Sequence, residues 1–327
     1  MFDLLLMATL PFLAGWMQPG ENATALKVGA HGVVGCDANA KRVKQLIITK
    51  PGVYENYLVD GEWEGSTLVK INADDVTLRN CEIRHGKHNA VTVYAKNVVI
   101  ESCKIHHVLA GSFGQQKDAH GITGRPTNLT IRNCNIGLTS GDCVQFDPGR
   151  GPWDQVLIEG CTLWTGPLAE DAGDFKKGDR PGENAVDTKQ RVANPRSRLA
   201  IRNCLLYGWN QPGQIGNLAA LNLKNHVHVT VQNCVLRDNE ICFRLRGGND
   251  EYGGANVTID NCAVYDSLVA VRAENKIENL KITRLGIGHG IERKLQAAGG
   301  GPGSGYENTD EYSPPPFETV LERGLQP

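Results

Sequence analysis

Apolar and polar residues alternate in short runs along most of the chain, and three runs set the frame: Ala185 to Lys189, Leu221 to Lys224 and Phe243 to Arg246. Read with a period of two, Val186, Leu221, Leu223, Phe243 and Leu245 face one side, while Asp187, Lys189, Asn222, Lys224, Arg244 and Arg246 face the other. Each run is predicted to be a strand with an apolar inner face and a charged outer one. Ser66 to Lys70, Ala90 to Tyr94, Gly121 to Arg125, Cys143 to Asp147 and Val269 to Glu274 align to the same pattern.

A second recurring unit ends in cysteine. Leu-Arg-Asn-Cys81, Ile-Glu-Ser-Cys103, Ile-Arg-Asn-Cys134, Ile-Glu-Gly-Cys161, Ile-Arg-Asn-Cys204, Val-Gln-Asn-Cys234 and Ile-Asp-Asn-Cys262 follow one another at spacings of 22, 31, 27, 43, 30 and 28 residues. Self-similarity near 22 residues, built from β-branched strands and Asn or Gly corners, predicts an all-β chain folded as a single-stranded parallel β-helix. About eight coils fit between Leu46 and Ile287, with Leu285 where the last cysteine would stand. Equivalent positions then stack at about 4.8 Å. The cysteines form an inward column and the preceding Asn residues an amide ladder. Neighbouring Cβ atoms at that spacing exceed the ~3.8 Å that a disulfide prefers. A column also cannot converge four thiolates on one metal ion.

The remaining segments divide the chain. Residues 1–19 are an apolar, Pro-interrupted run of signal-peptide length, with Asp3 where a basic residue is usual, so the protein is expected to be secreted or periplasmic. No other stretch approaches the ~18 apolar residues of a membrane span. Residues 20–45 are expected to cap the open end of the core, residues 46–298 to form the β-helix, and residues 299–327 to be a Gly- and Pro-rich tail in which 317–325 is either a short docked helix or loose. With 327 residues, 40% hydrophobic content and a net charge of -2, one large core is affordable, and no basic surplus points to nucleic acid. The chain is expected to act as a monomer.

Insertions fall at 110–118, 147–153, 167–182, 190–198 and 247–255, mostly bordering the charged strands, which is where a solenoid builds its binding face. One outward column reads Thr92, Thr123, Gln145, Asp187, Asn222, Arg244, Arg272, and the next reads Tyr94, Arg125, Asp147, Lys189, Lys224, Arg246, Glu274. Like charges stacked at about 4.8 Å cost stability unless something acidic offsets them. Either Asp147, Asp187 and Glu274 do so alone, or an anionic ligand such as an acidic polysaccharide completes the balance.

The coil pattern resembles the pectin-lyase type of right-handed parallel β-helix. The run from Leu223-Lys224 to Phe243-Arg-Leu-Arg246-Gly247, with Lys224 and Arg246 22 residues apart, is similar to the Lys and Leu-Arg-His-Gly-Asn signature of the alginate lyase and chondroitinase B group of polysaccharide lyases. That resemblance spans most of the chain at fold level and about 30 residues at motif level. It implies a Lys base assisted by an Arg. Gly247 stands where the group has His, and Asn217 and Ala219 stand near the place of its acidic calcium ligands. One coil earlier, Gly182-Glu183-Asn-Ala-Val-Asp187-Thr-Lys189 looks like the calcium-and-lysine strand of another pectate lyase family, so the base is Lys189 or Lys224.

β-Elimination of a uronate glycoside removes the C5 proton beside a carboxylate, which requires that carboxylate to be neutralised. Arg244 and Arg246 can do so bidentately, or calcium (Ca2+) held by Asp147, Glu183 and Asp187 can. A Lys flanked by cations is expected to have a lowered pKa and to act as base near neutrality. Arg246 is the expected carboxylate clamp, and Arg125, His120, Asn222, Arg244 and Arg272 are expected to touch substrate. His120 lies at a coil corner and is either an acid or sugar ligand or a backbone-satisfied corner residue. His85, His88, His106 and His107 read as structural or solvated. Gly141-Asp-Cys-Val and Gly288-His-Gly faintly resemble polygalacturonases, but the paired aspartates on neighbouring coils used in inverting hydrolysis are not seen. A lyase is therefore expected ahead of a hydrolase. A C5 epimerase or a non-catalytic binder of acidic glycans are the alternatives.

Overall fold

The alternating runs stack as the repeat requires. In the computed structural model, residues 27–147, 149, 151–211, 218–247, 253–275, 277–303 and 305–325 are described. The expected signal peptide at 1–19 lies outside them. Each coil contributes three short parallel strands, one more than the sequence pattern resolves. One precedes the cysteine, such as Val76–Arg79; one follows it, such as Glu82–Gly86; the third is the charged strand, such as Val91–Val93. The first two classes merge into one 18-stranded sheet because Asn256–Tyr265 and Asn279–Ile287 run through the corner.

The charged strands form a separate ten-stranded parallel sheet. Its rungs, numbered here from 1 to 10, are Leu46–Ile48, Val69–Ile71, Val91–Val93, Ile122–Gly124, Val144–Phe146, Asn184–Thr188, Ala219–Lys224, Ile241–Arg246, Ser267–Glu274 and Ile291–Ala298. The stack thus has ten rungs against the eight coils expected. The additional rung at the C-terminal end is long but poorly covered.

The cysteine column is buried throughout, and all ten cysteines are free thiols. Leu285 pairs with Cys262 and continues the column. The residue before each thiol of the column, and before Leu285, makes the corner by adopting a left-handed backbone: Asn80, Ser102, Asn133, Gly160, Asn203, Asn233, Asn261 and Arg284 all have φ between 49° and 58°. Asn tolerates this region because its short amide bonds locally. Part of the amide ladder follows from it, with Asn261 Nδ2 donating to Asn233 Oδ1 at 2.9 Å.

Residues 27–37 do not cap the end of the core as expected. They run down its side along the corner ladder, with Gly29 N–H on Asn203 O, His31 N–H on Asn133 Oδ1, Gly35 N–H on Ser102 O and Asp37 N–H on Asn56 Oδ1. The corner carbonyls and amides are a ready row of acceptors, and this segment satisfies them. Gly29 has φ +86°, and a Cβ there would sit 2.8 Å from Thr162 Oγ1, so the strap's closest approach needs glycine. Its Val28 joins Val235, Tyr265 and Phe317 in a small cluster outside the main core. Phe317 opens the short helix Phe317–Arg323, and Glu307–Thr309 adds a strand beside Asn279–Ile287.

Candidate functional site

The register of the ten-stranded sheet assembles the outer columns. Thr92, Thr123, Gln145, Asp187, Asn222, Arg244 and Arg272 are successive in-register partners, and Gln296 extends the line on rung 10. Lys224, Arg246 and Glu274 are likewise in register on rungs 7 to 9. Insertions border the sheet on both sides. The hairpin Ala110–Ser112 with Gln115–Lys117 and the loop 167–182 share an outlying apolar cluster of Leu109, Leu138, Leu168, Ala172 and Phe175, and Gly182 N–H bonds Gln116 Oε1. On the opposite side, Trp153 is buried and its Nε1 donates to Lys189 O.

The charges of this face answer one another. Lys189 pairs with Asp147 across one rung step at 2.5 Å, and Lys224 reaches back diagonally to Asp187 at 3.0 Å. Arg244, Arg246 and Arg272 converge on the single carboxylate of Glu274 at 3.1, 3.1 and 2.5 Å. Burial alone would raise the Glu274 carboxyl, but the Arg244 hydrogen bond and the three positive charges bring it below the usual range. Arg246 is pulled below its ordinary value by burial and then by Arg244.

These pairings correct one expectation. Burial acts to lower the Lys189 ammonium, but its hydrogen bond to Asp147 and the fields of Asp187 and Asp147 outweigh that, and its pKa is raised. Flanking cations do not decide it, because a carboxylate sits closer than the next cation. Asp187 moves the other way: burial raises its carboxyl, with Lys224 and Lys189 opposing.

Asp147, Glu183 and Asp187 do not make a calcium cradle. Asp147 and Asp187 are each committed to a lysine, and burial followed by the field of Asp118 pushes Glu183 up to about 7. Among the described residues, no group of three or more His, Cys, Asp or Glu side chains is arranged to hold a metal ion.

Sequence reasoning missed Asp142. It is fully buried, accepts Asn184 Nδ2 at 2.7 Å and Gln145 Nε2 at 3.1 Å, and is raised well above the usual carboxyl range by burial and then by Asp187 and Glu183. The charges of Asp187 and Glu183, on the next coil, are thus felt at Asp142. The Gly141-Asp142 step is visible in the sequence, but the period-2 columns pass over it because it lies at the corner before rung 5. His120 is buried beside it, and its Nδ1 accepts the Asp142 N–H at 3.0 Å, so it supports the corner and does not reach a sugar. Arg125 lies over the Tyr94 ring at 5.4 Å, at the N-terminal end of the groove. Thr92 and Thr123 Oγ1 and Asn222 Oδ1 are buried and have no hydrogen-bond partner among the described residues.

The model of the family described as "Right handed beta helix region" matches residues 67–213, and that stretch is a right-handed parallel β-helix. No curated protein matches the chain in sequence. Among solved structures, an alginate lyase from Paenibacillus sp. str. FPU-7 aligns over 78% of this chain and 80% of its own, at 14% identity and a TM-score of 0.50. Pectate lyase Pel9A aligns over 87% and 69% at 12% identity and a TM-score of 0.48. A surface adhesin of Streptococcus pneumoniae aligns over 83% and 76% at 11% identity and a TM-score of 0.47. At these identities the likeness is one of fold. Among the described residues, no helix is long and apolar enough to cross a membrane.

Proposed function

We propose that this chain is a polysaccharide lyase that cleaves a uronic-acid-containing polysaccharide by β-elimination, acting outside the cytoplasm as a monomer. Lys224 is the base, and Arg244 and Arg246 hold the substrate carboxylate. One observation carries this reading: the Lys224–Asp187 pair stands beside three guanidiniums on the next two rungs, two on rung 8 and one on rung 9, that share a single Glu274. Three cations on one carboxylate leave an anion-accepting spot beside an amine. Asp187 holds the Lys224 amine in place on this face, 3.0 Å away.

In the reaction the amine takes the C5 proton, the electron pair forms the C4–C5 double bond, and the C4–O bond breaks. Negative charge that develops on the uronate in the transition state faces Arg244 and Arg246. The leaving oxygen needs a proton. Glu183, held near 7 on the same face, is suited to give it. Lys189 is left as a charge partner of Asp147, and no step depends on calcium.

Near-ultraviolet absorbance during incubation with alginate, pectate, glucuronan and dermatan-type chains tests this, because elimination leaves an absorbing unsaturated uronate. The rise is expected to survive a chelator and to vanish in Lys224→Ala with binding retained. No rise on any of these chains, with affinity for one of them intact, rejects the lyase. The pairing of both lysines with carboxylates also favours a second reading, a non-catalytic binder of acidic glycans. In that case Lys189→Ala and Lys224→Ala weaken binding by similar factors and neither affects turnover. Exchange of the C5 hydrogen with solvent without an absorbing product would identify an epimerase.

A further inference from the structure

Every cation of the two outer columns on rungs 6 to 9 is answered by a carboxylate: Lys189 by Asp147, Lys224 by Asp187, and Arg244, Arg246 and Arg272 by Glu274. The N-terminal end of the same face differs. Lys70 on rung 2 stands in register with Thr92, and Tyr94 and Arg125 follow at the ends of rungs 3 and 4, so these positions hold two cations and no acid. Among the described residues, neither Lys70 nor Arg125 makes an ion pair or a side-chain hydrogen bond. The acids nearest to them along the chain and across the next rung are engaged elsewhere. Asp74 and Asp75 accept the Lys96 N–H and Asn97 Nδ2, and Asp147, beside Arg125 on rung 5, takes Lys189.

Arg125 is nonetheless held in place. Its guanidinium lies over the Tyr94 ring at 5.4 Å, and Gly151 of the 147–153 loop closes on its stem so tightly that a Cβ there would sit 3.1 Å from Cδ. Contact with a ring face positions a guanidinium without using its N–H groups, so the planar set of donors stays open to a carboxylate. Arg125 is exposed and Tyr94 is 39% exposed, so both can be reached from the groove. The three arginines around Glu274 are the reverse case, half-buried and sharing one acid. At about 4.8 Å per rung, Arg125 stands about 14 Å from Lys224, and Lys70 about 24 Å. The ring that meets Lys224 cannot touch either cation. A chain of uronates laid along the groove reaches both.

We propose that Lys70, Tyr94 and Arg125 form a remote subsite for the carboxylates of uronates well away from the bond being cleaved, so that affinity grows with chain length. The inference rests on the reading of the groove as a uronate-chain site. Isothermal titration of the turnover-blocked Lys224→Ala protein tests it, with trimers and octamers prepared from alginate, pectate and glucuronan as probes. For the uronan that binds, the octamer is expected to bind about ten-fold tighter than the trimer, because the remote contacts are added within one molecule. Arg125→Ala and Lys70→Ala are each expected to bring that advantage below about three-fold. Arg125→Lys, which keeps the charge and loses the planar fork, should recover only part of it. The trimer's affinity in each variant reports that the groove near Lys224 is intact. Equal affinity for the two lengths, an advantage that persists in both alanine variants, or no binding of any of these chains overturns the subsite. If the wild-type protein eliminates no substrate yet an Arg125-sensitive length advantage is found, the lyase reading falls and the subsite stands. If it eliminates one of these chains and shows no length advantage, the reverse holds.

Discussion

Replacing Glu274 by glutamine removes the charge on which Arg244, Arg246 and Arg272 converge, while keeping the side chain's shape. The Glu274 side chain is 7% exposed and the three arginines 13%, 30% and 21%, so the guanidiniums left behind repel with little water between them. Removing one partner of a buried ion pair costs about 3–5 kcal/mol. Arg246 is the most solvated of the three and is screened in part, which puts the expected loss near ~3 kcal/mol. At about 2 °C per kcal/mol for a chain of this size, the melting temperature should fall by about 6 °C at pH 7. Sulfate should restore part of it in the variant by pairing with the uncompensated guanidiniums from the solvent side, and less in the wild type. The pH dependence has a definite sign. The folded Glu274 carboxyl lies below its ordinary value, so its contribution is complete above the unfolded pKa of about 4.3 and is lost as pH falls through the lower folded value. Melting curves of wild type and Glu274→Gln should therefore converge in acid. A variant that melts within ~2 °C of wild type at pH 7, or that ignores sulfate, would refute the idea that one carboxylate anchors the trio.

Three further outcomes are expected. His106 is brought down to about 4 from an ordinary 6.5 by burial and then by Lys104. The unfolded chain thus takes a proton below pH 6.5 that the folded one refuses until about pH 4, so stability falls across that window by about 3 kcal/mol; urea melts as a function of pH should show a shallower fall in His106→Gln. Asn133→Ala places a Cβ-bearing residue without a side-chain amide at φ 51° and deletes the acceptor of the His31 N–H, which should cost about 2 kcal/mol in urea unfolding and loosen the strap to proteolysis. If Glu183 supplies the leaving-group proton, kcat/KM should fall as pH rises through about 7, and Glu183→Gln should lower kcat and abolish that limb. A limb unchanged in the variant would assign the titration to another group.

The repeat and the outer columns were legible because two independent periods agree. The cysteine-ending units fix the phase of each coil, and the period of two then decides which residues of the charged strand face outward. The structure reproduces the line from Thr92 to Arg272 rung by rung. The strand that follows each cysteine escaped because it keeps neither a constant length nor a constant polarity, from Glu82–Gly86 with five residues to Thr162–Trp164 with three. Residues 27–37 escaped for a related reason. Their partners are corner carbonyls and amides, which leave no apolar pattern in the strap itself.

The chemistry was the least legible part, and the cause is geometric. A column describes neighbours directly across a rung step, about 4.8 Å apart, whereas Lys and Arg side chains reach farther than that. Asp147 and Lys189 are direct neighbours and could be paired from the sequence. Asp187 stands opposite Asn222, yet it binds Lys224, two positions along the next strand. Arg244 and Arg272 stand opposite each other as a like-charged pair, yet both turn to Glu274. Columns alone therefore describe a ladder of repelling cations and predict depressed lysines. The diagonals turn it into paired lysines and one overloaded carboxylate, and this overload, rather than any run of positive residues, marks where an anionic group of a ligand would be drawn.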